Sequence, residues 1–281
     1  MYNLSDLQNA FQELSSINQL GPETGQKNVF KAVQESQDVV LKIMKPNQEA
    51  LSSMQVEVEA VQKLNSEFIP TIFDFGTRNI AGDDYYYIIE EFIPGQNLRY
   101  VISSNGSKSL DYVCNYFDQL LEACVEFEER NLVHRDIKPE NLIVDKSSKF
   151  WVIDFGIVRH LDNPSRTATN RKFGRFTLGY GAPEQIRNEK PKINSRCDLY
   201  SIGIVGYELL NGQNPYIQPN PMNTLRKVQT EDLPTLSIKG DSENKLWGFI
   251  STLTSRFPSR RPQSAKQALD WYRDIQSEMG V

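Results

Sequence analysis

Cysteine and histidine are scarce in this chain. Its 281 residues include three cysteines, Cys114, Cys124 and Cys197, and two histidines, His134 and His160. Three scattered thiols make no disulfide framework, and with two imidazoles they supply no transition-metal cluster of the usual spacing. No apolar run is long enough to span a bilayer, and the residues after Met1 lack a signal-peptide pattern. The expected setting is a reducing cytoplasm without membrane attachment. Excess positive charge is also missing: 31 Lys and Arg against 36 Asp and Glu leave a net charge of -5, which offers no general attraction to nucleic acid or an anionic surface. There is no internal repeat and no low-complexity tail. What is present is an ordinary globular composition, 39% hydrophobic, in a chain long enough for one large or two small cores.

One local pattern stands out. Val133-His134-Arg135-Asp136-Ile137-Lys138-Pro139-Glu140-Asn141 is followed by Val152-Ile153-Asp154-Phe155-Gly156. A transferred phosphoryl group spreads charge over several oxygens, so its site must hold divalent cations, and Asp and Asn oxygens suit Mg2+. Asn141 and Asp154 fit that role. A carboxylate that is not a ligand must orient the incoming hydroxyl and take its proton late in the reaction; Asp136 is the candidate, with the Lys138 ammonium beside it. Any one of these alone reads as a turn or cap residue. Together, in this order, they point to phosphoryl transfer.

The two runs resemble the catalytic loop (His-Arg-Asp, four residues, Asn) and the magnesium loop (Asp-Phe-Gly) of the eukaryotic-type, or Hanks-type, serine/threonine protein kinases, most of all the compact bacterial members. The resemblance runs from about residue 17 to about residue 275. It implies an α+β, bilobal fold, with a small β-rich N-lobe carrying one main helix and a larger helical C-lobe. It also implies ATP and Mg2+ as cofactors and protein substrates phosphorylated on Ser or Thr, with autophosphorylation. Lys138, two residues after Asp136, is the serine/threonine pattern.

Other parts of such an enzyme can be sought in turn. Val39-Val40-Leu41-Lys42-Ile43 reads as a buried strand, and a lysine there is costly unless paired; Lys42 stands where the family's Val-Ala-Ile-Lys has its phosphate-binding lysine, with Val40 replacing Ala. From Gln48 to Asn65, Leu51, Met54, Val58, Val61 and Leu64 follow a helical period. The resemblance favours Glu57 on this helix as the partner of Lys42 and leaves Glu59 as a solvated charge. Gly181-Ala182-Pro183-Glu184 is similar to the family's Ala-Pro-Glu, Thr177 to its substrate-positioning Thr, and Asp198 to the carboxylate that ties down the catalytic loop. Arg261 is the implied salt-bridge partner of Glu184. Between Asp154 and Glu184 the segment carries Ser165, Thr167 and Thr169 among Arg159, Arg166, Arg171, Lys172 and Arg175, an arrangement that a phosphate could order together with Arg135.

Two places depart from the family. Its phosphate-covering loop reads Gly-x-Gly-x-x-Gly-x-Val, because glycines let backbone amides approach phosphates. Anchored on Val29, those positions here are Pro22, Thr24 and Lys27, with Gly21 and Gly25 each displaced by one. Lys27 either lends its ammonium to the phosphates or is a solvated loop lysine. At the adenine pocket the alignment puts Glu90 at the deepest position, where the carboxylate should find a cationic or hydrogen-bonded partner. Backbone groups of Glu91 and Ile93 would meet the adenine edge, and Leu142 joins the expected nucleotide site.

The expected organisation is a helical extension over about residues 1–16 and a kinase domain over about 17–277, divided into an N-lobe (about 17–92), a connector (about 91–95) and a C-lobe (about 96–277). Leu4, Leu7, Phe11 and Leu14 give the extension its helical period, with Ser5 as N-cap. It packs on a lobe or docks a partner. Leu110 to Arg130 and Cys197 to Asn211 read as long amphipathic helices, and Asn211 to Pro221 as an exposed loop. The irregular glycine loop and Glu90 keep a pseudokinase in view, and the shared nucleotide lobe keeps a small-molecule phosphotransferase in view.

Overall fold

Two-residue turns between runs of β-branched and aromatic residues build the first part of the chain. A computed structural model describes residues 2–21, 27–44, 58–64, 66–154, 159–160 and 176–280, with only the backbone described at 159–160. Pro22, Thr24, Gly25, Leu51, Met54, Glu57, Ser165, Arg166, Thr167, Thr169, Arg171, Lys172 and Arg175 lie outside the described residues. The chain divides between Pro94 and Gly95 into two units.

In the first unit, β1 (Ser15–Gln19), β2 (Lys27–Gln34), β3 (Gln37–Met44), β4 (Ile72–Ile80) and β5 (Asp83–Glu91) form one antiparallel sheet in the order β1-β2-β3-β5-β4. The two hairpin turns, Glu35-Ser36 and Ala81-Gly82, have positive φ at both positions, the geometry that matches the twist of the flanking strands. Alternation then sorts side chains between the faces. One face buries Phe30, Ala32, Val39, Leu41, Ile43, Tyr87 and Ile89 in a core shared with Leu7, Phe11 and Leu14. The other face carries Val29, Val40, Lys42, Ile88 and Glu90, as the pairings Val29 with Lys42, Val40 with Glu90 and Lys42 with Ile88 require. Residues 58–62 are helical, and Val58, Val61 and Leu64 are buried.

Helix α1 (Leu4–Ala10) belongs to this core. Its N-cap is Asn3, not Ser5: the Asn3 side chain accepts from the Asp6 amide (3.0 Å), and the Asp6 carboxylate accepts from the Asn3 amide (2.8 Å). This reciprocal box satisfies two donors that Ser5 could not reach from within the first turn. Strand β1 starts at Ser15, so the segment before residue 17 ends in the sheet.

In the second unit, β6 (Gly95–Asn97), β8 (Leu142–Asp145) and β9 (Phe150–Val152) form a three-stranded sheet, and β7 (Leu132–Val133) pairs with β10 (Arg159–His160). Gly95 is needed for close approach, because a Cβ there would lie 2.5 Å from the Val144 carbonyl oxygen. The helices are α2 (Leu98–Asn105), α3 (Leu110–Glu129), α4 (Pro183–Ile186), α5 (Ser195–Asn211), α6 (Pro221–Thr230), α7 (Lys245–Leu253) and α8 (Ala265–Met279). Their core is aromatic, with Phe117 packed against Tyr116, Phe249 and Tyr272. Buried phenols are satisfied by backbone: Tyr116 donates to Ile202 and Tyr272 to Cys114. The 211–221 loop is not an exposed strap throughout. Asn214 and Tyr216 are buried, and Asn214 donates to the Gly179 carbonyl (3.0 Å) while Tyr216 donates to that of Glu231 (3.0 Å).

Phe11 is fully buried, meets Tyr87 edge-on at 5.2 Å and lies under the Arg78 guanidinium. Phe11→Ala should therefore destabilise the protein by ~3–5 kcal/mol, whereas Leu4→Ala, at a position 55% exposed, should stay within ~0.5 kcal/mol. Urea unfolding followed by circular dichroism checks both. Equal effects would mean that α1 is not seated on the sheet.

Candidate active site

The loop after β7 is held from outside. Asp198, in the first turn of α5, is completely buried, and its two oxygens accept from the amides of His134 (2.8 Å) and Arg135 (2.7 Å). Burial pushes the Asp198 carboxyl up to about 7, while those two amides pull the other way; the helix N-terminus also favours its charge. On the other side of the same residue, the Arg135 carbonyl accepts from the Gln185 side chain (2.9 Å). Arg135 has φ +69 and Asp154 φ +71. Such backbone costs about 1 kcal/mol or more at a non-glycine residue and persists only where the surroundings impose it. His134 stacks on Phe127, and its Nδ1 accepts from the Asp136 amide (3.3 Å). Burial holds the imidazole below its usual range against the pull of Asp136 and Asp154, so it serves as a neutral structural acceptor.

Asp136 is the centre of this loop. Its Oδ1 accepts from the Thr177 hydroxyl (2.5 Å), and its Oδ2 accepts from Asn141 Nδ2 (3.0 Å) and from Lys138 (2.8 Å). Lys138 also donates to Thr177 Oγ1 (2.8 Å), closing a triangle of carboxylate, ammonium and hydroxyl. Asn141 Nδ2 donates a second bond to the Asp136 carbonyl (2.9 Å). With both amide hydrogens spent, the side-chain orientation is fixed and Oδ1 remains as its acceptor. The Asn141 carbonyl accepts from the Ile153 amide (2.9 Å), next to half-buried Asp154. Leu142 is fully buried on β8. Among the described residues no group of three or more His, Cys, Asp or Glu could hold a metal ion. An Asn oxygen and one carboxylate nevertheless fit Mg2+, which keeps most of its shell as water and phosphate. All three thiols are free and buried, and burial pushes each upward, which leaves no ready thiolate nucleophile.

Farther along the chain, Glu184 and Arg261 pair through two contacts, 2.6 and 3.0 Å, with both side chains wholly buried. Arg261 also donates to the carbonyls of Ser255 and Arg196 and lies over Tyr200. A network not anticipated from sequence links α2, the Asp136 loop, the turn at Tyr180 and α5. Arg99 pairs with Glu140 and Glu208 at 2.7 Å each and donates to the Tyr180 phenol, which itself donates to Glu208 (2.6 Å).

In the first unit, Lys42 Nζ lies 2.6 Å from Glu90 Oε1. Glu90 was expected to find a cationic or hydrogen-bonded partner, and that partner is the Lys42 ammonium. The Glu91 amide donates to the Thr71 carbonyl (2.8 Å), so that donor is already committed; Ile93 is buried. Gly21 has φ +79 with open space around it, Lys27 opens β2 half-buried, and the Leu20 amide donates to Val29 (2.8 Å). Glu59 is half-buried rather than fully solvated; burial, with the charge of Glu59 second, pushes the Tyr86 phenol up to about 12.

A carboxylate, a lysine and an asparagine thus share one braced loop, and an aspartate follows β9. Residues 17–271 match the protein kinase domain family, and the chain belongs to that family. It is 28% identical over 249 residues to the serine/threonine-protein kinase PrkC of Bacillus subtilis, covering 86% of this chain and 37% of that protein. It is 32% identical over 202 residues to a Lactococcus lactis protein named "Probable serine/threonine-protein kinase PknB", covering 70% and 31%. To the serine/threonine-protein kinase PknB of Mycolicibacterium smegmatis it is 27% identical over 212 residues, covering 75% and 34%. The chain thus spans about a third of the length of these relatives.

Removing one member of a buried ion pair strands the other. Arg261→Met should cost ~3–5 kcal/mol by that principle, and Glu184→Met/Arg261→Met should regain part of the loss. Urea unfolding followed by tryptophan fluorescence reads this, since Trp151, Trp247 and Trp271 all lie in the second unit. A double variant as unstable as the sum of the singles would count against a shared pair.

Proposed function

We propose that the chain transfers the γ-phosphate of ATP to serine and threonine hydroxyls of proteins. The observation that carries this reading is the Asp136 arrangement: one carboxylate that meets a hydroxyl at Oδ1 while Lys138 and Asn141 fix Oδ2. Thr177 Oγ1, which donates to Asp136 and accepts from Lys138, models how a substrate hydroxyl can be oriented. Asp136 aligns the attacking oxygen and receives its proton late, and Lys138 offsets the negative charge that develops beside it. Asn141 Oδ1 and Asp154 would hold Mg2+, which supplies positive charge against the phosphoryl oxygens. Lys42 would hold the nucleotide's phosphates. Glu184 and Arg261 brace the end of the segment that carries Thr177, a platform that suits a polypeptide better than a small alcohol. Ser165, Thr167 and Thr169 are the acceptors proposed for autophosphorylation.

Radiolabelled Mg-ATP with a generic protein substrate should give phosphoserine and phosphothreonine. Asp136→Asn and Lys42→Met should each lower the rate by roughly 10^3-fold or more, as loss of a transition-state charge partner does. Near wild-type transfer by Asp136→Asn, with contaminating kinase excluded, would remove the catalytic assignment. Label that transfers only to water or small alcohols would remove the protein substrate.

A further inference from the structure

Lys42 and Glu90 stand on neighbouring strands of one sheet. Continuous antiparallel pairing from Val39 with Glu91 to Met44 with Tyr86 fixes both backbones. Since Val40 faces Glu90 and Lys42 faces Ile88, the two side chains are diagonal neighbours on the same face, a separation that long side chains bridge. They meet at 2.6 Å, and each residue is 5% exposed. The far face of these strands is packed by Phe11, Leu14 and their neighbours. The end of β5 is pinned by two bonds between Thr71 and Glu91, at 2.8 and 3.2 Å.

A buried ion pair is a poor way to stabilise a sheet, because desolvation offsets much of the attraction and a well-packed apolar pair of similar size does as well or better. Its distinctive effect is to define where a flexible ammonium rests. We propose that Glu90 is a positioning residue for Lys42, holding its ammonium ready for the triphosphate of the nucleotide. This rests on the reading of the chain as an ATP-dependent phosphotransferase. A lysine ammonium has three donors, so one can stay on Glu90 while the others meet phosphate oxygens. A carboxylate carried on a helix acts on such a lysine only when that helix is docked. Glu90 belongs to the same hydrogen-bonded ladder as Lys42 and is in place whenever the sheet is folded. The placement of Lys42 therefore depends on its own sheet as well as on any helix carboxylate.

The test has a part that needs no activity. Unfolding of wild type, Lys42→Met, Glu90→Met and the double variant forms a cycle, and the double variant should be clearly less destabilised than the sum of the singles. Steady-state transfer from Mg-ATP supplies the second part. Glu90→Gln keeps the shape and loses the charge, and it should lower kcat by about 10-fold or more while shifting the KM for ATP by less than about 3-fold. Glu90→Asp, which retains the charge on a shorter stem, should recover part of the kcat. An additive cycle would show that the pair does not exist in solution. A coupled cycle with unchanged kcat in Glu90→Gln would make the pair structural only, and a raised kcat would mean that Glu90 draws Lys42 away from phosphate; either overturns the proposal. A coupled cycle in a wild-type protein without transfer would sink both the functional reading and the role of Glu90.

Discussion

The amides of His134 and Arg135 both end on the carboxylate of Asp198, which has no exposure to solvent. This one interaction sets the frame for the second unit's chemistry. The loop turns through a positive φ at Arg135, an arrangement that would relax if it were not clamped. Asp198 clamps it from the N-terminal turn of α5, a helix buried along most of its length, and the Gln185 bond to the Arg135 carbonyl clamps it from α4. Asp136 then follows in a fixed direction, and its own amide, carbonyl and carboxylate are all engaged.

The second unit uses carboxylates in two physically different ways. Asp198 accepts from two backbone amides and Asp136 from three side chains, and each carboxylate is oriented by those donors. Glu184 and Glu208 are paired across long stretches of chain with arginines, and each ties an element near Thr177 to the helical core. The first kind fixes the path and direction of the Asp136 loop, and the second ties distant stretches of chain together.

What was legible in the sequence follows the same division. Asp136, Lys138 and Asn141 could be read because their relations are local: a single turn at Pro139–Asn141 brings Asn141 back onto Asp136. The fold class was implied by the family resemblance, and the long amphipathic segments after Pro94 agreed with its helical second part. Glu90's need for a cationic or hydrogen-bonded partner was legible from burial and charge, but which partner was not, since that depends on the register between β3 and β5. Nothing local announces the Arg99 network, whose members are 41, 81 and 109 residues from Arg99. The cap of α1 was misread although its signal was present, in the Asn3-x-x-Asp6 spacing. Burial within the 211–221 loop escaped notice because Asn and Pro read as solvent-facing until Gly179 and Glu231 are brought beside them.

The seat of α1 bears on where the folded unit begins. The family match starts at residue 17, yet Leu7, Phe11 and Leu14 complete the apolar layer against Phe30, Leu41 and Ile89. A chain trimmed to the family boundary would keep every residue given a chemical role here and would uncover one side of its sheet. Contiguous apolar surface of that kind drives self-association. Insolubility of such a trimmed protein would reflect this missing cover and would carry no information about its catalytic competence.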